Sequence, residues 1–108
     1  MRFCFTFRPR FSSAVKAAFL DRDGVINVDY AYVHSRENFH FIPGALEGAA
    51  ELVRKGHQLI IVTNQSGIGR GKYSIDQFRE LTFWLAGVFA RNHAPLSAVY
   101  FCPHHPTH

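Results

Sequence analysis

Three short segments hold the side chains that could do chemistry. Asp21-Arg22-Asp23-Gly24 sets two carboxylates two residues apart. In extended backbone, residues at that spacing point the same way and Arg22 points elsewhere. Two such carboxylates repel unless a cation or a shared proton lies between them, and an oxygen-rich site of this kind suits Mg²⁺. Gly24 lets the chain turn sharply away. Thr63-Asn64-Gln65-Ser66-Gly67 offers hydroxyls, amides and loop N–H groups, which hold a phosphoryl oxygen well. Cys102-Pro103-His104 offers a thiol and an imidazole. Taken singly, the first segment reads more readily as an acidic surface turn and the second as a flexible loop. Gly67, Gly69 and Gly71 do not match a dinucleotide fingerprint, and Gly71-Lys72-Tyr73 lacks the hydroxyl residue that follows a P-loop lysine.

The surrounding pattern puts each segment at the end of a strand. Val15 to Leu20 is a short apolar run, and Asp21 to Pro43 reads as a long loop. Gly44 to Lys55 spaces Ala45, Leu46, Ala49, Leu52 and Val53 along one helical face, with Pro43 suiting its entry and Gly56 its exit. His57 to Val62 predicts a second strand, and Thr63 to Tyr73 a glycine-rich loop. Ser74 with Gln77 matches a capping box, and Ile75, Phe78, Leu81, Leu85 and Phe89 make the stripe of a helix reaching about Arg91. Ser97 to Phe101 predicts a third strand. The β-α-β-α-β order argues for an α/β fold with a parallel sheet and right-handed crossovers. In such a sheet ligands bind beyond the carboxyl ends of the strands, where all three segments fall.

Composition bounds the rest. A chain of 108 residues with 47% apolar and 19% charged residues is one small domain. Its longest apolar-rich uncharged run, Leu81 to Ala90, is about half of a membrane span. The net charge of +4 sits mostly in Arg2, Arg8 and Arg10; the remaining chain holds nine Lys/Arg against eight Asp/Glu, so no basic stripe for nucleic acid is visible. Two cysteines, Cys4 and Cys102, predict no disulfide framework and a reducing, cytoplasmic setting. Residues 1–12 fit three readings: an edge strand, since Phe3, Phe5 and Phe7 alternate; a targeting segment without an apolar core; or a disordered extension, the preferred one.

FLDRDGVIN after one strand, IVTNQSGIGRGKY after the next and YFCPHHP after the third resemble the haloacid-dehalogenase-like phosphatases. Within them they resemble the branch acting on heptose 1,7-bisphosphate and histidinol phosphate. The resemblance runs from about Val15 to Pro106. It implies a Rossmann-like haloacid-dehalogenase fold that stops after the third strand, with 13–108 forming a partial phosphatase domain. It also implies removal of the 7-phosphate of a heptose 1,7-bisphosphate for lipopolysaccharide-core synthesis, with histidinol phosphate as the alternative substrate. Asp21 would be the nucleophile, forming an aspartyl-phosphate, and Asp23 the general acid and base. Mg²⁺ would bridge an Asp21 oxygen, the Asp23 backbone carbonyl and the phosphate. Thr63 and the N–H of Asn64 would hold the phosphoryl group. Asp29, Tyr30, Ala31 and Tyr32, with Asn64, Gln65 and Ser66, fall where the family contacts substrate. Cys102 and His104 match two ligands of a structural Zn²⁺ loop. The resemblance further implies a small phosphorylated sugar as partner, no nucleic acid or membrane, and a monomer for the complete protein.

The family's pattern continues beyond what is present. A closing Cys-x-Cys, an Arg-Lys-Pro and a later acidic strand end are missing; no lysine follows Lys72 and no carboxylate follows Glu80. His105 and His108 are weak substitutes as zinc ligands, and Lys72 a weak one for the lysine. The expectation is therefore a marginally stable, aggregation-prone chain with an unprotected sheet edge. It would be nearly inactive unless a second chain supplies the rest; a truncated, non-catalytic product is the reading from another class.

Overall fold

The computed structural model describes residues 3–7 and 16–104. Four strands form one sheet: β1 (Phe3–Thr6), β2 (Lys16–Leu20), β3 (His57–Asn64) and β4 (Leu96–Cys102), in the spatial order β1-β4-β3-β2. Helices α1 (Ala45–Arg54), the single turn α2 (Ser66–Gly69) and α3 (Ile75–Arg91) connect them. β2, β3 and β4 are parallel, with Leu20 opposite Ile61 and Asn64 opposite Cys102. Their carboxyl ends therefore lie along one side of the sheet, and the α/β expectation holds. Both crossovers step the same way across the sheet, from β2 to β3 to β4, which puts α1 and α3 on one face when both are right-handed. Ala49 of α1, Leu59 and Ile61 of β3, Phe78, Leu85 and Phe89 of α3, and Val99 and Phe101 of β4 form a single buried cluster between them.

The helix signals act as read. The Ser74 side chain accepts from the Gln77 backbone N–H at 3.1 Å and the Gln77 side chain accepts from the Ser74 N–H at 2.8 Å, so α3 starts on a full capping box. Its stripe buries Phe78, Leu81, Leu85 and Phe89, while Ile75 in the first turn stays exposed. Thr82 joins the buried face because its hydroxyl donates back to the Phe78 carbonyl at 2.7 Å. Trp84 packs edge-on against Phe39 from the long loop. α1 ends with Gly56 at φ +94°, a left-handed exit that glycine adopts at no steric penalty.

The N-terminal segment departs from the preferred reading. Phe3–Thr6 is an antiparallel edge strand on β4, and the Phe7 N–H extends the ladder to the Ser97 carbonyl at 2.8 Å. Phe5 stacks on Phe101 at 5.4 Å and lies 5.5 Å from Phe83, and Phe7 meets Phe83 edge-on at 5.8 Å. The alternating phenylalanines, the strand signal in the sequence, outweigh the disorder signal of a charged terminus. They pair one side of β4 and leave β1 as that edge of the sheet. Residues 8–12, Val15 and residues 105–108 lie outside the described residues. The sheet's other edge strand is β2, where Phe19 is 66% exposed, its neighbours Ala18 and Leu20 turning to the core instead. Among the described residues, no helix is long and apolar enough to cross a membrane.

Candidate active site

The chain leaves β2 at Leu20 and coils at once. Val25, Ile26 and Asn27 direct their backbone N–H groups at the Arg22 carbonyl, and the Gly24 N–H reaches the Asn27 carbonyl at 2.8 Å. This turn overrides the extended geometry expected of Asp21 to Asp23. Arg22 does not point away from its neighbours: it is buried, and its Nη2 donates to Asp23 Oδ1 at 2.8 Å and to the Val33 carbonyl at 2.9 Å. Its guanidinium also lies 5.6 Å from the Phe39 ring centre. Asn27, fully buried, donates to the same Asp23 oxygen at 2.9 Å. Asp21 is exposed, and its Oδ1 accepts the Arg22 backbone N–H at 3.1 Å.

The end of β3 comes to the same place. Thr63 and Gln65 are buried, Asn64 exposed. Gln65 Nε2 donates to Asp23 Oδ2 at 3.2 Å and to Thr63 Oγ1 at 2.9 Å, joining residues 42 apart in sequence. Its Oε1 accepts a hydrogen bond from the Tyr73 hydroxyl. Burial pushes that hydroxyl up to about 12, with Arg22 opposing and Asp23 adding to the rise. The loop is anchored to the third strand end as well: the Gln65 N–H meets the Cys102 carbonyl at 2.8 Å and the Gly69 N–H the Pro103 carbonyl at 2.7 Å.

A cleft of about 340 Å³ opens between these segments. Asp23, Asp29, Ala31 and Tyr32 line one side, and Asn64, Gln65, Ser66, Gly67 and Tyr73 the other. Asp29 caps its own turn by accepting the Ala31 N–H at 2.9 Å, and Ala31 and Tyr32 both take left-handed backbone, φ +63° and +55°. Consecutive non-glycine residues in that region store strain, which concentrates at ligand-binding loops. Gly67 is where glycine is required by packing: a Cβ there would run into the Tyr73 ring and lie 2.9 Å from Tyr32. Lys72 lies over the Tyr32 ring at 5.7 Å. Tyr30 faces outward and pairs with His40 at 3.0 Å, outside the cleft wall. A larger groove of about 670 Å³ between α1 and the end of α3, lined by Leu46, Ala50 and Val53 among others, lies among residues that carry none of these motifs.

The structure thus gathers Asp23, Asp29, Ala31, Tyr32, Asn64, Gln65 and Ser66 around one cleft, with Thr63 bonded to Gln65 behind it. Arg22, Asn27 and Tyr73 were not singled out by the sequence; the only signal was their place inside the quoted motifs. Cys102 closes β4 and His104 follows, but among the described residues no three His, Cys, Asp or Glu side chains come together to hold a metal. The two expected zinc ligands thus have no third among those residues, and His105 and His108 lie outside them.

Comparison with known proteins gives the same outline. The chain is 53% identical over 95 residues to the D-glycero-beta-D-manno-heptose-1,7-bisphosphate 7-phosphatase of Vibrio cholerae, covering 88% of this chain and 51% of that protein. The protein of the same name from Escherichia coli K12 is 50% identical over 95 residues, 88% of this chain and 50% of its own length. The D,D-heptose 1,7-bisphosphate phosphatase of B. bronchiseptica, crystallised with magnesium and phosphate, superposes with a TM-score of 0.80 at 32% identity, over 85% of this chain and 52% of that one. A HAD-like phosphatase from Mesorhizobium loti superposes at 0.85 with 30% identity, over 96% and 50%. The chain spans about half the length of the curated relatives it matches. No family model matches it.

Proposed function

We propose that this chain is the nucleophile-bearing half of a haloacid-dehalogenase-like phosphatase, a phosphoric monoester hydrolase acting on the 7-phosphate of a heptose 1,7-bisphosphate. The observation that carries the reading is the convergence of two loops on Asp23, one from the end of β2 and one from the end of β3, at the rim of a single cleft. The identity of about 50% to heptose bisphosphate phosphatases supports the substrate class.

The chemistry follows from the donors and acceptors present. Asp21 Oδ1 is engaged by a backbone N–H, which leaves Oδ2 to attack phosphorus. The new Oδ2–P bond forms as the P–O ester bond breaks, and Asp23 gives a proton to the departing sugar oxygen. Water then attacks the aspartyl-phosphate, Asp23 takes its proton, and the Asp21 carboxylate is released with inorganic phosphate. Arg22, Asn27 and Gln65 hold Asp23 from three directions, so its carboxylate needs no reorganisation between these steps. The Thr63 hydroxyl and Asn64 N–H meet the phosphoryl oxygens. The Asp29–Tyr32 turn and Ser66 bound the sugar side of the cleft.

Mg²⁺ fits this donor set. The Asp23 side chain is held by three protein donors, so the exposed Asp21 carboxylate and the Asp23 backbone carbonyl are the hard oxygens that would hold it. When bound, the ion offsets the repulsion between a carboxylate nucleophile and an anionic phosphate. A zinc-stabilised loop would need two ligands beyond Cys102 and His104.

The test is phosphate release by the full chain, with Mg²⁺, from heptose 1,7-bisphosphate and from histidinol phosphate, beside Asp21→Asn. Release from the heptose ester that Asp21→Asn abolishes supports the proposal. Preference for histidinol phosphate replaces the substrate. Phosphate binding without turnover makes the chain a non-catalytic remnant or a half that needs a partner.

A further inference from the structure

Tyr73 takes no part in the chemistry above, yet it is buried and its hydroxyl ends on Gln65. The Gln65 amide has one orientation that satisfies all its neighbours. The Asp23 carboxylate in its ionised form can only accept, so the amide nitrogen must face it. One N–H goes to Asp23 Oδ2 at 3.2 Å and the other to Thr63 Oγ1 at 2.9 Å. Oε1 then faces Tyr73 and requires a donor. Turned over, the amide would set an oxygen against a carboxylate oxygen.

We propose that Tyr73 is a positioning residue. By donating to Gln65 Oε1 it locks the amide so that both N–H groups serve Asp23 and Thr63, and this directs the Thr63 hydroxyl hydrogen outward, toward a phosphoryl oxygen in the cleft. The assignment of that last step rests on the phosphatase reading. Because Thr63 Oγ1 accepts from the amide, its own hydrogen cannot lie on that bond and is presented elsewhere. Tyr73 is itself held rigidly. Its ring stacks on His34 at 5.0 Å and 8°, and fills the space that Gly67 leaves by lacking a Cβ. A hydroxyl pushed up to about 12 remains a donor at any physiological pH.

The experiment observes the Gln65 side-chain NH₂ of the ¹⁵N-labelled full chain, identified by its loss in Gln65→Leu. In the wild type both protons should be well separated in shift and slow to exchange with water. In Tyr73→Phe they should move toward the values of an exposed glutamine, with exchange about tenfold faster, as loss of one buried hydrogen bond predicts. A fast-exchanging wild-type pair, which needs no Tyr73 variant to observe, overturns the proposal. So does a pair that Tyr73→Phe leaves unchanged. Inorganic phosphate with Mg²⁺ is titrated in parallel. Its affinity should fall about tenfold in Tyr73→Phe and no further in Tyr73→Phe/Gln65→Leu than in Gln65→Leu alone. Equal phosphate affinity in the wild type and Tyr73→Phe overturns the positioning role. A wild type that binds no phosphate but shows the Tyr73-dependent amide overturns the phosphatase reading instead and supports the amide lock.

Discussion

Arg22 and Asp23, neighbours in sequence, form an ion pair whose cationic side is sealed inside the protein, Nη2 lying 2.8 Å from Oδ1 with side-chain exposures of 3% and 23%. The guanidinium also holds the Val33 carbonyl, so one side chain fixes both a carboxylate of the cleft and the loop that follows it. Among the described residues its Nε has no hydrogen-bond partner, a mark of a group held for its position at some expense in stability.

Arg22→Met should keep much of the packing on Phe39 while removing the cation and the Val33 tie. We expect a loss of about 2–3 kcal/mol, less than for a fully sealed pair because Asp23 keeps two other donors and some solvent. Urea unfolding followed by circular dichroism measures it; midpoints within error of each other would contradict a structural role for the pair. Arg22→Lys should recover little of the loss, since an ammonium lacks the planar fork of a guanidinium.

Gly67→Ala should be more disruptive than its size suggests. The added methyl meets the Tyr73 ring, which is stacked on His34 on its other side. Overpacking of this kind costs about 1–3 kcal/mol and should also loosen the link from Tyr73 to Gln65. Thermal melting with near-ultraviolet dichroism of the tyrosines reads both effects. A variant that melts with the wild type and keeps its aromatic signal would show the ring to be adaptable.

The capping box at Ser74 and the stripe from Phe78 to Phe89 are local signals, and they produced the helix as read. The register that sets Asn64 beside Cys102 follows from strand order, and it brought the motif-bearing ends together. Alternation places Arg22 only while the chain stays extended, and the turn of Val25–Asn27 onto the Arg22 carbonyl ends that at once. Tyr73 was missed because a lone aromatic in a glycine-rich loop has no periodicity to reveal its direction; only the fold brings it under Gln65. The strand at Phe3–Thr6 was legible in the alternation of three phenylalanines, but its partner on β4 lies almost the whole chain away.

The uncovered edge at β2 predicts association. Phe19 is 66% exposed on a strand with one side unpaired among the described residues, a ready template for another chain. Phe19→Lys should leave the fold's stability within about 0.5 kcal/mol, as for an exposed position, while raising the monomer fraction. Sedimentation velocity over a range of concentrations decides it. Association that persists unchanged in Phe19→Lys would place the sticky surface elsewhere, the groove between α1 and α3 being the next to examine.

Stability should decline at alkaline pH through Tyr73. Its hydroxyl stands at about 12 in the folded chain against 10.0 ordinarily, chiefly because burial disfavours the phenolate. Below pH 10 the group is protonated in both states and contributes no slope. Between about 10 and 12 the unfolded chain gives up this proton while the folded chain retains it, so the unfolded state binds fewer protons and stability falls as pH rises. Above that window the phenolate forms in the folded chain as well, and a phenolate cannot donate to Gln65 Oε1. Urea midpoints compared at about pH 9 and about pH 11 should therefore drop more in the wild type than in Tyr73→Phe, which has nothing to ionise there. Tyr100, also shifted upward, titrates in both proteins and cancels from the difference. An equal drop in the two proteins would mean that the Tyr73 hydroxyl is solvated rather than held on Gln65.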